Sequence, residues 1–261
     1  MESLGFIGMG NMASAMAKGF IASGALTPDR IFACARSWDK LQANAAAIGF
    51  TPMRTAEELI DAVDTVIIAI KPYQIEDVIP PLAEKLRGKT VLSVVGGWNF
   101  DKYEEVLAPG THHLYIMPNT PVAVCEGVLM FEEKHSLSAE EHAETVALMQ
   151  KLGTVEILPA HLMHAGMSIA GCGPAFVAMM IEALGDAGVK YGLQRKTAYA
   201  LAAQTLTGTG KLPLATGEHP GAMQDAVCSP AGTTILGVTT LEKKGFRSAL
   251  IDAIDAINER N

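Results

Sequence analysis

The stretch Gly8-Met9-Gly10-Asn11-Met12-Ala13 constrains this chain more than any other. It follows a short apolar run, Leu4 to Ile7, and opens an amphipathic segment from Met12 to Ala22. Strand, glycine turn and helix in immediate succession form the context that a dinucleotide-binding fingerprint of the form GxGxxA requires. Gly8 permits a tight turn out of the strand, and Gly10 lets a pyrophosphate approach the backbone where no Cβ intervenes. Ala13 keeps the helix close to the sheet, while the helix N-terminus offers free N–H groups and a positive dipole end to phosphates. An ordinary glycine turn is the simpler alternative, and the prompt strand-to-helix switch favours the fingerprint.

The 261 residues suffice for one large domain or two modest ones. Apolar residues make up 49% and charged ones 18%, a globular balance. The net charge is −8 and the densest cationic pair is Lys243-Lys244, so a nucleic-acid partner is not expected. Cys34, Cys125, Cys172 and Cys228 lie far apart without a CxxC, which predicts neither a disulfide framework nor a zinc site. Free thiols fit a reducing, cytoplasmic setting. The N-terminal apolar run is broken by glycines and Asn11 and lacks the form of a signal peptide. The longest apolar stretch, around Phe176 to Leu184, is interrupted by Glu182 and is expected to be too short to span a bilayer.

The chain divides into two rhythms, predicting a nucleotide-binding domain over 1–158 and a helical unit over 159–261. In the first, β-rich runs (Leu4–Ile7, Arg30–Cys34, Thr65–Ile70, Thr90–Val95, His113–Met117, Val128–Phe131, Val155–Leu158) alternate with helical stretches at Asp39–Ile48, Ala56–Ala62, Ile75–Leu86 and Phe100–Leu107. Ser138-Ala139-Glu140-Glu141 is a capping box opening one more. Nearly all-apolar strands such as Thr65–Ile70 belong in a parallel sheet covered on both faces, which predicts an α/β, doubly wound, Rossmann-type domain. Beyond Leu158 the pattern is helical: Pro174–Tyr191, Lys196–Thr207, Pro220–Val227, Thr234–Lys244 and Phe246–Asn258. So apolar a helical unit would expose a large greasy surface alone, and a homodimer or higher homo-oligomer is expected.

An acidic residue at the tip of the second strand marks NAD preference in such domains. Here that strand ends in Ala33-Cys34-Ala35-Arg36-Ser37, with Lys40 one turn on. An arginine and a hydroxyl suit a 2′-phosphate, which predicts NADP(H), with NAD(H) as the second candidate. The next strand ends in Ala69-Ile70-Lys71-Pro72, where Pro72 turns the chain at the ligand-binding edge and Lys71 lines the cofactor or sits at the rim. In Ser229-Pro230-Ala231-Gly232-Thr233-Thr234, consecutive N–H groups and three hydroxyls form either a nest for a carboxylate or a plain N-cap satisfied by the threonines.

With the fingerprint, several motifs in this order resemble the pyrroline-5-carboxylate reductase family along nearly the whole chain. They are Phe6 to Met12, Lys71-Pro72, Met117-Pro118-Asn119-Thr120-Pro121, Gly173-Pro174-Ala175-Phe176, His219-Pro220-Gly221, Ser229-Pro230, Gly232-Thr233-Thr234 and Leu241-Glu242. The resemblance implies NAD(P)H-dependent reduction of 1-pyrroline-5-carboxylate to L-proline, and a helical C-terminal domain intertwined with a partner's. It further implies that Ser229, Gly232, Thr233 and Thr234 hold the substrate, with the Thr234 hydroxyl near the ring nitrogen. Asn119 and Pro121 would lie beside the nicotinamide. Cofactor-binding positions are then Gly8, Gly10, Asn11, Met12, Arg36, Ser37, Ala69, Lys71, Pro72 and Asn119, with Thr234 as the catalytic position and no metal.

The chain departs from the family pattern at four places. Ala170-Gly171-Cys172-Gly173 replaces Ser-Gly-Ser-Gly, and Ala231 replaces the first glycine of Ser-Pro-Gly-Gly, where a positive φ would strain alanine. Ala160 and His164 stand where acidic residues are common, and Gly96-Gly97-Trp98 where Ala-Gly and a small aliphatic residue are usual. A divergent paralogue acting on a related cyclic imine, or a catalytically weak cofactor-binding regulatory protein, are the alternatives. A β-hydroxyacid dehydrogenase would need a catalytic lysine, and Lys190 and Lys211 sit in no matching motif. His161 and His164, three apart, lack a nearby third ligand for a metal.

Overall fold

The computed structural model describes residues 3–259. Two compact units emerge, Met1–Gly171 and Cys172–Asn261.

The first unit carries eight strands: β1 (Leu4–Ile7), β2 (Ile31–Cys34), β3 (Thr51–Pro52), β4 (Thr65–Ile68), β5 (Thr90–Ser93), β6 (His112–Pro118), β7 (Gly127–Glu132) and β8 (Gly153–Leu158). Their order is β3-β2-β1-β4-β5-β6-β7-β8. The first six follow the 3-2-1-4-5-6 arrangement of dinucleotide-binding sheets. β1, β4 and β5 are buried at every position, and β1 pairs in parallel with both β2 and β4. Such strands need cover on both faces. α1 (Asn11–Ala22) buries Ala13, Met16, Ala17 and Phe20, while α2 (Trp38–Ile48) contributes Leu41 to the same core. On the opposite side, α3 (Ala56–Ala62) buries Leu59 and Ile60 in a second core with Ile68 and Val91. Gly19 fits only because it lacks a side chain, since a Cβ there would stand 2.1 Å from the Val122 carbonyl oxygen.

Some expectations need correction. The stretch Ile75–Leu86 is not one helix but α4 (Ile75–Val78) and α5 (Ala83–Leu86), separated by a 3₁₀ turn at Pro80–Leu82. Two successive prolines, Pro80 and Pro81, lack the N–H donors that a continuous helix needs. The sheet is not wholly parallel: α6 (Phe100–Glu104) leads from β5 to β6, β7 runs antiparallel to β6, and β8 follows β7 in parallel after α7 (Ala139–Met149). The Ser138 capping box forms as expected, with Ser138 Oγ accepting from the Glu141 N–H at 3.2 Å and Glu141 Oε2 from the Ser138 N–H at 2.7 Å. The unit also extends beyond residue 158. In α8 (Met163–Gly166), Met163 packs with Tyr115 and Met130.

The second unit is helical throughout: α9 (Gly173–Lys190), α10 (Arg195–Thr216), α11 (Pro220–Ala226), α12 (Thr233–Lys243) and α13 (Phe246–Asn258). α10 continues nine residues past the expected Thr207 and contains Pro213. α9 and α10 pack through Gly185, where a Cβ would meet the Tyr199 ring at 2.3 Å. Among the described residues of this unit only Gly185, Ala198 and Ala202 are buried. Large apolar side chains stand in the open instead, including Tyr191 at 83% exposure and Leu214 at 81%. Helix also runs from Ala160 to Lys190, 31 residues that include an 18-residue stretch of mean hydropathy 1.6. That segment is long and apolar enough to cross a bilayer by length and composition, contrary to the expectation set by Glu182, because one glutamate does not end a helix.

Candidate functional site

The order of strands reverses between β1 and β4, and ligands bind at the carboxyl edge of such a switch point. Gly8 leaves β1 with φ +96°, and its N–H donates to the Cys34 carbonyl at 2.9 Å. A Cβ on Gly8 would lie 2.7 Å from the Ala69 carbonyl oxygen, so glycine is needed for both conformation and space. Gly10 caps α1, and nothing lies within 4 Å of where its Cβ would be. No side chain caps α1, which leaves its first-turn N–H groups to an external acceptor.

A cleft of 660 Å³ opens at this edge. The β1 turn contributes Gly8, Met9 and Gly10, and the β2 end contributes Ala35, Arg36, Ser37 and Lys40. Ala69, Ile70 and Lys71 follow β4, with Tyr73 just beyond. Arg54, absent from the sequence reading, completes the cationic end. The only signal for it was β3, a two-residue strand too short to show a period. Asn11, Met12, Pro72 and Asn119 lie outside the lining, although the first two follow Gly10 directly and Pro72 lies between Lys71 and Tyr73. Cys34 lies in the wall, where burial pushes its thiol up to about 11 and leaves it protonated and unreactive.

Asn119 is 7% exposed and fully engaged. Its Nδ2 donates to the Ala170 carbonyl at 3.0 Å, and its Oδ1 accepts from the Val128 N–H at 2.9 Å. The side chain thus ties the β6 end to β7 and to the π-helical turn Met167–Gly171.

A polar cluster lies beside the Gly96-Gly97-Trp98 loop. Glu132 Oε2 accepts from the Phe100 N–H at 2.7 Å, and burial raises its carboxyl above the ordinary range. Ser93 Oγ donates to the Tyr103 hydroxyl at 2.7 Å. Of the adjacent histidines, His112 is exposed, while His113 is buried, stacks on Phe100 and contacts Glu104 at 2.6 Å. Burial lowers the pKa of His113 despite that carboxylate, favouring the neutral ring.

In the second unit the Ser229–Thr234 stretch forms a tight turn into α12. The Gly232 N–H donates to the Ser229 carbonyl at 3.0 Å, and a Cβ on Gly232 would collide with Ser229 Oγ at 2.4 Å. Ala231 has φ +56°, the left-handed conformation anticipated as a strain. Gly232 is the N-cap and no side chain caps the helix, so neither threonine hydroxyl at its first two positions satisfies the free N–H groups. Ser229, Thr233 and Thr234 are exposed.

Sheet order, glycine turn and switch-point cleft define a dinucleotide-fold protein of the Rossmann class, joined to a separate helical unit. Residues 160–261 match the family model described as pyrroline-5-carboxylate reductase dimerisation, and residues 3–97 match that described as NADP oxidoreductase, coenzyme F420-dependent. The chain belongs to the pyrroline-5-carboxylate reductase family. It is 40% identical over 259 residues to the pyrroline-5-carboxylate reductase of Treponema pallidum, covering 97% of this chain and 98% of that one. It is 36% identical over 261 residues to the Escherichia coli protein of that name, covering 100% and 97%. Among solved structures, the Plasmodium falciparum pyrroline carboxylate reductase with NADP bound matches at TM-score 0.88 and 29% identity, covering 100% of this chain and 97% of that one.

Proposed function

We propose that this chain is a pyrroline-5-carboxylate reductase, converting 1-pyrroline-5-carboxylate to L-proline with NADPH as the preferred reductant and NADH as the second. The observation that carries this reading is the full-length correspondence of both units with reductases of that name. The cleft fits the cofactor on its own terms: a glycine turn with open space at Gly10, an uncapped helix N-terminus and four cations in the lining. When bound, NADPH supplies hydride to the carbon of the C=N bond.

The remaining chemistry falls to the chain. Gly8, whose own N–H is held by the Cys34 carbonyl, shapes the turn, and Gly10, Asn11 and Met12 present backbone N–H groups to the pyrophosphate. Arg36 and Ser37 hold the 2′-phosphate, while Ala69, Lys71 and Pro72 border the nicotinamide half. Asn119 acts by positioning the segment beside that ring, since its own amide is occupied within the protein. The Ser229–Thr234 turn holds the substrate carboxylate on the first-turn N–H groups of α12, from Thr233 onward, which no side chain caps. The Thr234 hydroxyl positions the ring nitrogen. A cyclic iminium carries the proton it needs, so no strong general acid is required, and alignment supplies most of the rate.

The helical unit forms a homodimer or larger homo-oligomer in the cytoplasm. A second copy covers its exposed apolar side chains, including those on Ala160–Lys190, with no membrane or nucleic-acid partner. The test is NADPH oxidation by the purified protein with 1-pyrroline-5-carboxylate, with proline detected as product and NADH run in parallel. Thr234→Ala should lower turnover by roughly 10²-fold or less while leaving NADP⁺ binding intact. Cofactor binding without proline formation would favour the second reading, a related cyclic imine as substrate, for which Ala170, Cys172 and Ala231 are the structural grounds.

A further inference from the structure

The cleft has an unusual charge inventory. Among the described residues that line it there are four cations, Arg36, Lys40, Arg54 and Lys71, and no carboxylate. Arg54 differs from the others in how it is held. Its guanidinium carbon lies 3.6 Å from the centroid of the Trp38 ring, close enough for cation–π attraction. Trp38 is half-buried against the core, so the ring offers a firm platform. The Arg54 N–H also donates to Glu58 Oε2 at 3.2 Å, which anchors the backbone at the start of α3. Arg54 and Trp38 follow two neighbouring parallel strands, β3 and β2, and meet beside Arg36, Ser37 and Lys40.

A guanidinium fixed flat by stacking loses little further freedom when it binds, and its planar fork matches a phosphate. We infer that Arg54, laid on the Trp38 indole, selects the 2′-phosphate of the dinucleotide together with Arg36, Ser37 and Lys40. This rests on the cofactor reading proposed above and deepens it. Discrimination between the two nicotinamide cofactors is thus shared between the β2 tip and the loop after β3. An adenine-stacking role would stabilise both cofactors equally; a phosphate role favours only one.

Calorimetric titration of the full-length protein with NADP⁺, NAD⁺ and adenosine 2′,5′-bisphosphate separates these cases. Arg54→Gln should weaken NADP⁺ and the bisphosphate by roughly ten- to a hundredfold, as for loss of a charged hydrogen bond, and leave NAD⁺ within about threefold. Arg54→Lys should fall between Gln and the parent chain, because it keeps the charge and loses the flat stack. Unchanged NADP⁺ affinity in Arg54→Gln, or parallel losses for NADP⁺ and NAD⁺, would overturn the assignment. Failure of the parent chain to bind any of the three nucleotides would instead overturn the proposed cofactor.

Discussion

Asn119 provides a sharp quantitative test, because both ends of its amide are used in a site 7% exposed. Asn119→Ala removes the bonds to the Ala170 carbonyl and the Val128 N–H. Each is worth about 1 kcal/mol net, and orphaning the part-buried Val128 N–H adds about 1–2, for a total of about 3–4 kcal/mol. Asn119→Asp is the more revealing change. One carboxylate oxygen can still accept from Val128, but the other would face the Ala170 carbonyl, acceptor against acceptor, at the present 3.0 Å. Only a protonated carboxyl restores the donor, so the folded state should raise the pKa of the new side chain above its unfolded value of about 3.9. A raised carboxyl pKa contributes stability that is fully present below the unfolded pKa and is lost as pH rises through the folded one. The Asp variant should therefore approach the parent near pH 4 and fall short by a few kcal/mol at pH 8, while the Ala variant keeps a constant deficit. Urea unfolding at fixed protein concentration, followed by the fluorescence of Trp38 and Trp98 in the same unit, measures both. A pH-independent Asp variant, or an Ala variant within about 0.5 kcal/mol of the parent, would refute the assigned bonds.

Ala231→Gly should stabilise the chain by about 0.5–1 kcal/mol: relief of the left-handed penalty outweighs glycine's extra entropy in the unfolded state. A lowered melting temperature would contradict the assigned backbone conformation. Glu132→Gln should keep the bond from the Phe100 N–H and gain up to about 1 kcal/mol at neutral pH. Because burial raises the Glu132 pKa, the parent holds that contribution below the carboxylate range and loses it as pH rises, so the difference between the two chains should vanish in acid. Melting curves at about pH 4 and 7.5 check it.

Much of this architecture could be read from local chemistry, and the exceptions share a cause. β1, β4 and β5 are short apolar runs bounded by turns, and burial on both faces makes that pattern nearly unique to a parallel sheet. The reversal at β7 left no such trace, because apolar runs look alike in either direction; only the turn Thr120–Val124 and the pairing of Met117 with Met130 reveal it. Gly208, Gly210 and Pro213 resemble breakers, yet α10 runs through all three. Propensity yields there to structure longer than any local window. Arg54 escaped for the opposite reason, since two residues of β3 carry no period and its importance depends on Trp38, 16 positions away.

The second unit shows where local reading and function meet. Its composition announced an uncovered apolar surface, and the fold leaves Met179 at 66% and Leu236 at 65% exposure. With three buried residues among those described, its helices have little core of their own, and short helices such as α11, with 7 residues, and α12, with 11, are marginal in water when isolated. The Ser229–Thr234 turn sits on such a helix, so its geometry is only as stable as whatever covers the apolar faces. If a second copy does so and the turn holds the substrate as proposed, assembly and substrate binding are one equilibrium, because association supplies the burial that holds the turn in shape.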